Sequence, residues 1–305
     1  MIPSIVVSTP QIASNAAVAY LAGLSPGSRI TQAKALRRVC ETVWGPGADP
    51  ATAPWHSVTF AHSAALRQVL ANAYAPATTN RLLAAWRGVL KAAWRLGEIP
   101  DAVYMRAVDV QDVRLSGELR GRALAGDERT RLFACATTDA RPLGRRDAAL
   151  LALLYGCGLR RAEASALDTS DVREDGLHVR GKGGKLRVVP VPPVYARMVQ
   201  AYLDTLDTPG PLLRSVDRDT GTLRCQRLTV DGIAKALAAR VRATGLVPAT
   251  PHDLRRSYIT DLLNKNVDVL TVAGLAGHAR IDTTRKYDRR PHASRVAAVA
   301  TLGDD

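Results

Sequence analysis

The chain has few cysteines, fewer acidic than basic residues, and no long apolar run. Its four cysteines, Cys40, Cys135, Cys157 and Cys225, are scattered over 305 residues. They make no CxxC pair and no zinc-like spacing, so they read as reduced, mostly buried thiols of a cytosolic protein. No stretch reaches the roughly 18 consecutive apolar residues that a membrane helix needs. Residues 1–10 lack a basic segment followed by an apolar one, so no secretory signal is expected. The sequence shows no internal repeat, low-complexity tract or nucleotide-binding loop of the G-x4-G-K-[ST] kind. Lys and Arg total 42 against 28 Asp and Glu, a formal net charge of +14. A soluble chain this basic usually meets a polyanion, most often nucleic acid and sometimes a membrane surface. The 47% apolar fraction supports a real core, and the length suits about two domains.

The first hundred residues carry helical signals. Ser28 is placed to cap a helix from Arg29 to Trp44, which Gly45-Pro46 ends. Further helices are predicted over Gln11–Leu24, over Ser63–Tyr74, and from Thr78-Thr79-Asn80 to Gly97. The last keeps a helical period through Leu82, Trp86, Val89, Ala93 and Leu96, and it carries a basic stripe of Arg87, Lys91 and Arg95. Such a stripe is either a solvated face or a DNA contact. Residues 1–125 hold 13 Lys+Arg and 7 Asp+Glu, and the remainder 29 and 21, so both halves are basic.

Residues 99–125 mix Pro100, Gly117, Gly121 and alternating charges, and read as a connector. Beyond them helices are expected over Arg129–Ala136 and Arg146–Tyr155. A β-hairpin follows, with Leu177 and Val179 on one arm, Leu186, Val188, Val189 and Val191 on the other, and Gly181-Lys182-Gly183-Gly184 at the turn. After Pro193 the pattern returns to helices.

Four short stretches stand out together: Gly158-Leu159-Arg160-Arg161-Ala162-Glu163, Arg180-Gly181-Lys182-Gly183-Gly184-Lys185, Pro251-His252-Asp253-Leu254-Arg255-Arg256, and Leu275-Ala276-Gly277-His278 with Tyr287 nine residues on. Each is weak alone. In this order they resemble the tyrosine recombinase family, the phage integrases and Xer-type site-specific recombinases, and the likeness covers nearly the whole chain. The resemblance implies a mainly α fold with a small antiparallel β element in two domains. These would be a helical, SAM-like core-binding domain over 1–112, a linker over 113–123, and a catalytic domain with a C-terminal tail over 124–305.

The resemblance also implies a reaction. Tyr287 would attack a DNA phosphodiester, leaving a 3′-phosphotyrosine and a free 5′-hydroxyl, so rejoining needs no ATP. Arg160 and Arg255 match the arginines that bind the non-bridging oxygens, where a planar guanidinium fits bidentately. Lys182 matches the general acid for the leaving oxygen, with Lys185 as the alternative acid or as a DNA-backbone contact. His252 matches the residue that assists proton transfer at the tyrosine, and His278 the one that bonds a non-bridging oxygen. Glu163 would support the site structurally, and Arg161 and Arg256 would be backbone contacts or structural charges. No metal and no other cofactor is called for, because these cations supply the positive charge. The departures from the family pattern are Cys157, where a small polar residue is common, and Ala276, where a second leucine is common.

The expected partners are double-stranded DNA, held between the two domains as in a clamp, and three further copies of the chain working through a Holliday junction. Arg87, Lys91, Arg95 and Lys185 are the DNA-binding candidates. The tail, with Val296, Ala297, Val299, Ala300 and Leu302, is expected to dock on a neighbouring protomer, the alternative being its own domain. The chain starts almost directly with core-binding helices, so a recombinase of the Xer or mobile-element kind, without an arm-binding module, is expected. The rival readings are a type IB topoisomerase and a non-catalytic DNA-binding protein on the same fold.

Overall fold

Proline sets where several helices begin. The computed structural model describes residues 15–114, 121–181, 184–217, 220–278, 280–285 and 287. Helix α1 (Ala16–Ala22) is capped by the Asn15 side chain, which accepts from the Ala17 and Val18 N–H groups at 2.9 and 3.2 Å. It is shorter than the predicted 11–24, of which residues 11–14 lie outside the described residues. Helix α2 (Pro26–Trp44) starts three residues before the predicted Arg29, with Ser25 rather than Ser28 at its N-cap. The reason is Pro26, whose fixed φ suits the first helical position and whose missing N–H costs nothing there. Helix α3 (Phe60–Ala73) follows, and α4 (Pro76–Arg95) again opens on a proline.

The chain divides into two compact units, Met1–Glu118 and Leu119–Asp305. The core of the first is built on α4. Leu82, Trp86, Val89 and Ala93 are buried as the helical period requires, whereas Leu96 lies past the helix end and is 41% exposed. Trp86 packs with Trp55 and Trp44 at centroid distances of 5.3 and 5.8 Å, and its indole N–H donates to Ser63 Oγ at 2.8 Å. A Cβ at Gly88 would lie 2.4 Å from the Tyr20 ring, so only glycine lets α1 pack this closely on α4. The segment read as a connector contains a helix, α5 (Asp101–Val108). It is fixed by Tyr104 stacking on Trp94 at 4.8 Å and by Asp101 accepting from the Trp94 indole at 2.7 Å.

In the second unit, α6 (Gly126–Thr137) and α7 (Pro142–Leu151) lead into a π-helical turn, Ala152–Gly156. The predicted helix over 146–155 is therefore two segments. The wide turn is a feature often found beside functional sites, and here it delivers the chain to Gly158 and Arg160. The short helix α8 (Arg161–Ala166) follows. The predicted hairpin is β2 (Gly176–Arg180) paired with β3 (Leu186–Val189), and a two-residue strand, β1 (Val172–Arg173), adds to it in the antiparallel order β1-β2-β3. Leu177, Val179 and Val189 are fully buried under the apolar core formed by α7 and the π turn.

After α9 (Pro193–Leu203) the structure corrects the expectation of helices alone, because β4 (Arg214–Val216) pairs antiparallel with β5 (Leu223–Arg227). Helices α10 (Val230–Ala243), α11 (Pro251–Asn264), α12 (Val269–Ala276) and α13 (Ile281–Arg285) complete the unit. Among the described residues no helix is long and apolar enough to cross a membrane. All four cysteines are free, but only Cys40 and Cys157 are buried, while Cys135 is intermediate and Cys225 exposed. Burial pushes the Cys157 thiol up to about 12, so it is an inert packing group.

Candidate active site

Two left-handed glycines place the carbonyls that hold the site's arginines. Gly158 has φ +61 and a Cβ there would lie 2.3 Å from the Tyr258 ring; Gly277, at the C-cap of α12, has φ +63. The Gly158 carbonyl and the neighbouring Ala276 carbonyl each accept from the Arg255 guanidinium at 2.5 Å. The Gly277 carbonyl accepts from Arg160 Nη2 at 2.8 Å. Arg160 is the N-cap of α8, while Arg255 lies in the first turns of α11.

Helix α11 starts where Thr250 and Asp253 cap each other. Thr250 N–H and Oγ1 donate to Asp253 Oδ2 at 2.9 and 2.7 Å. The other Asp253 oxygen accepts from the Arg122 N–H at 3.0 Å, and a Cβ at Gly121 would strike it. The helix therefore presents His252 and Arg255 from an anchored end.

Glu163 is the acidic centre of the cluster. It accepts from Arg160 N–H at 2.9 Å, from Arg160 Nη1 at 2.7 Å, and from both terminal nitrogens of Arg187 at 3.0 and 2.9 Å. Burial raises its pKa, but the Arg187 fork and the Arg160 donors outweigh that and hold the carboxyl at about 2. Arg255 is 3% exposed. Burial, then the charge of Arg160, brings its pKa down to about 10, so it stays a cation at neutral pH.

Tyr287 packs against Ile259, Leu263, Val272 and Ala276 and is 7% exposed. Its hydroxyl lies 3.3 Å from His252 Nε2. The Arg256 guanidinium sits 5.4 Å from the ring centroid, and the His278 ring stacks on the ring at 6.3 Å. His278 Nδ1 lies 2.7 Å from the buried Thr284 hydroxyl. Burial and the surrounding arginines lower the pKa of both histidines, that of His278 to about 4. Both are neutral imidazoles at neutral pH, with His252 placed to take a proton.

Those depressed values link stability to pH. Between the ordinary histidine pKa of about 6.5 and the lower folded values, the unfolded chain takes up protons that the folded chain resists. Stability therefore falls as pH drops through that window. Glu163 adds its own loss lower, as pH falls from 4.5 toward about 2. Melting temperature is expected to fall between about pH 7 and pH 4.5, and His278→Gln to lessen the fall. An identical dependence in the variant would contradict the assignment.

The structure thus brings Arg160, His252, Arg255, His278 and Tyr287 together. Lys182 lies outside the described residues, as does the tail. Lys185 is exposed on the hairpin and its carbonyl accepts from Gly181 N–H at 2.8 Å. In the other unit, Lys91 and Arg95 are exposed on α4, but Arg87 is half-buried and ion-paired with Asp112. Arg161 makes a long, exposed contact with Asp231 at 3.9 Å. The sequence reading missed Arg187 and the contact of Arg256 with Tyr287. No local pattern marks Arg187: its apolar neighbours Leu186 and Val188 are the exposed ones, and the register, which sets Arg187 opposite the buried Val179 and on the same face as the buried Val189, turns it inward.

The sequence model described as the phage integrase family matches residues 122–293. Tyrosine recombinase XerC of Rhodospirillum centenum is 40% identical over 176 residues, covering 54% of this chain and 49% of that protein. Tyrosine recombinase XerC of Alcanivorax borkumensis is 33% identical over 215 residues, covering 69% and 68%. The chain thus matches about half the length of the first relative and two thirds of the second. The solved structure of a Tn1549 transposon integrase fragment in complex with transposon right end DNA has the same fold. Its TM-score is 0.70 at 14% identity, covering 95% of this chain and 99% of that one.

Proposed function

Because this chain belongs to the phage integrase family, we propose that it is a site-specific tyrosine recombinase that cuts and rejoins DNA through a 3′-phosphotyrosine at Tyr287. The observation that carries this reading is the Tyr287 hydroxyl 3.3 Å from His252 Nε2, in one cluster with two arginines held by backbone carbonyls. Tyr287 Oη attacks the scissile phosphorus as its proton passes to His252. The bond from phosphorus to the 5′-oxygen breaks as the bond to Oη forms. Lys182 protonates the leaving oxygen, and Arg160, Arg255 and His278 neutralise charge on the non-bridging oxygens. Attack by the 5′-hydroxyl of a second strand reverses the step, so no energy source is consumed.

The DNA partner is double-stranded, and four protomers exchange strands through a Holliday junction, to integrate, excise or resolve DNA. The tail over 292–305 would dock on a neighbouring protomer. Incubation with a nicked suicide duplex tests the reading: it should trap a covalent adduct whose DNA-bearing peptide contains Tyr287. Adduct on any other residue would refute it. Recombination between two sites, rather than relaxation of a supercoiled circle alone, separates this activity from a topoisomerase.

On the same reading, Lys91 and Arg95 hold the DNA backbone, while Arg87 has part of its charge answered by Asp112. Lys91→Ala together with Arg95→Ala is expected to weaken binding and to reduce the slope of log K against log salt by about 0.9 per lost phosphate contact. Arg87→Ala should change the slope less. A double variant with the parent slope would show that the stripe is only solvated.

A further inference from the structure

Arg187 is a further arginine of the cluster, and the cleavage step described above assigns it no part. It rises from β3 and grips Glu163 with both terminal nitrogens, one to each carboxylate oxygen, at 3.0 and 2.9 Å. Its side chain is 16% exposed and that of Glu163 6%. The same carboxylate takes two donors from Arg160, one from the backbone and one from the guanidinium. Glu163 therefore has its orientation fixed from one side by Arg187, and it fixes Arg160 on the other.

The backbone turn after α12 closes on both arginines. A Cβ at Gly277 would lie 2.9 Å from the Arg187 guanidinium carbon, while the Gly277 carbonyl takes the second terminal nitrogen of Arg160. Arg160 itself is the most open of the three, its side chain 40% exposed. An arginine so exposed loses much side-chain entropy on binding a phosphate unless something else holds it. The Glu163 carboxylate and the Gly277 carbonyl each engage one terminal nitrogen and so set the plane of the fork. Without Arg187 the carboxylate would keep one fixed donor, the Arg160 backbone N–H on Oε2, and the Oε1 that meets the Arg160 guanidinium would lose its second anchor.

We propose that Arg187 is a positioning residue for strand cleavage: acting through Glu163, it holds the Arg160 guanidinium in the orientation that receives the non-bridging oxygens of the scissile phosphate. The proposal rests on the recombinase reading above. Lysine does not substitute for it, since a single ammonium does not span both carboxylate oxygens in the fork geometry.

The test compares two suicide duplexes, one with a natural scissile phosphodiester and one with a neutral methylphosphonate at that position. Replacing a charged non-bridging oxygen by methyl removes the charge that Arg160 is held to meet. Arg187→Met and Arg187→Lys are each measured on both, in single-turnover cleavage, beside the parent and Tyr287→Phe. On the phosphodiester both Arg187 variants should cleave about 10²-fold more slowly, the scale of losing one preorganised charge-stabilising donor. On the methylphosphonate each should fall within about 3-fold of the parent, because the interaction it supports is no longer in play. Comparing the two duplexes for one variant cancels any loss of folded protein. Equal slowing on both duplexes would overturn the proposal, as would no slowing on the phosphodiester. If the parent itself forms no Tyr287-dependent adduct, the recombinase reading fails instead, and the two failures are told apart.

Discussion

Tyr287→Phe is expected to form no covalent DNA adduct on a suicide duplex, under conditions where the parent converts most of the substrate. The change removes one oxygen, and with it the group placed 3.3 Å from His252 Nε2. The ring keeps its environment: the apolar packing of α11 and α12, the Arg256 guanidinium 5.4 Å from its centroid and the stacked His278. Stability should therefore stay within about 1 kcal/mol, the worth of one ordinary hydrogen bond. DNA binding should also persist. Denaturing gels of the trapped complex, a melting curve and a gel shift together give the answer. An adduct formed by the variant in parent amounts would mean that another residue is the nucleophile, and the site built around Tyr287 would have to be abandoned.

Arg255→Met should cost cleavage nearly as much without unfolding the protein. Arg255 is buried and donates both terminal nitrogens to backbone, to Gly158 and Ala276. Removing one preorganised donor at a developing oxyanion costs about 10²–10³-fold in rate, or about 3–4 kcal/mol of barrier. For stability two opposite effects meet. Each carbonyl left without a donor costs about 1–3 kcal/mol. Against this, the variant removes a buried cation whose pKa burial and Arg160 already bring down to about 10. Methionine fills similar volume and relieves that repulsion, which offsets part of that cost, so the variant should stay folded while cleavage is lost. Single-turnover cleavage with saturating protein, set against a binding isotherm, separates the two. If affinity for DNA falls as far as the cleavage rate, Arg255 is a binding residue and not part of the charge-stabilising centre.

The candidate site was legible because its chemistry needs particular side chains in short local contexts. Arg160 opens α8, His252 and Arg255 lie one turn apart on α11, and His278 follows the glycine that ends α12. Periodicity likewise marked the buried face of α4 and the β2–β3 hairpin. What escaped is held by partners distant in sequence. Helix α5 is only eight residues and owes its place to Tyr104 stacking on Trp94. Strands β4 and β5 are short, polar and paired with an irregular register, so neither alternates clearly enough to announce itself. Helices α2, α4 and α7 start earlier than periodicity marks, because Pro26, Pro76 and Pro142 form their first turns ahead of the first periodic residue.

The residues by themselves determined the family and the mainly helical character and singled out the candidate side chains, since these depend on composition, spacing and local period. Only the tertiary structure decided how the charges are arranged. It sets two arginines on the carbonyls beside left-handed glycines, makes Glu163 the shared partner of Arg160 and Arg187, and brings Arg256 and His278 to the ring of Tyr287. Those relations join positions up to 117 residues apart, as from Arg160 to Gly277. No local pattern encodes them, because hydrogen-bond partners and burial are properties of the packed chain rather than of any segment.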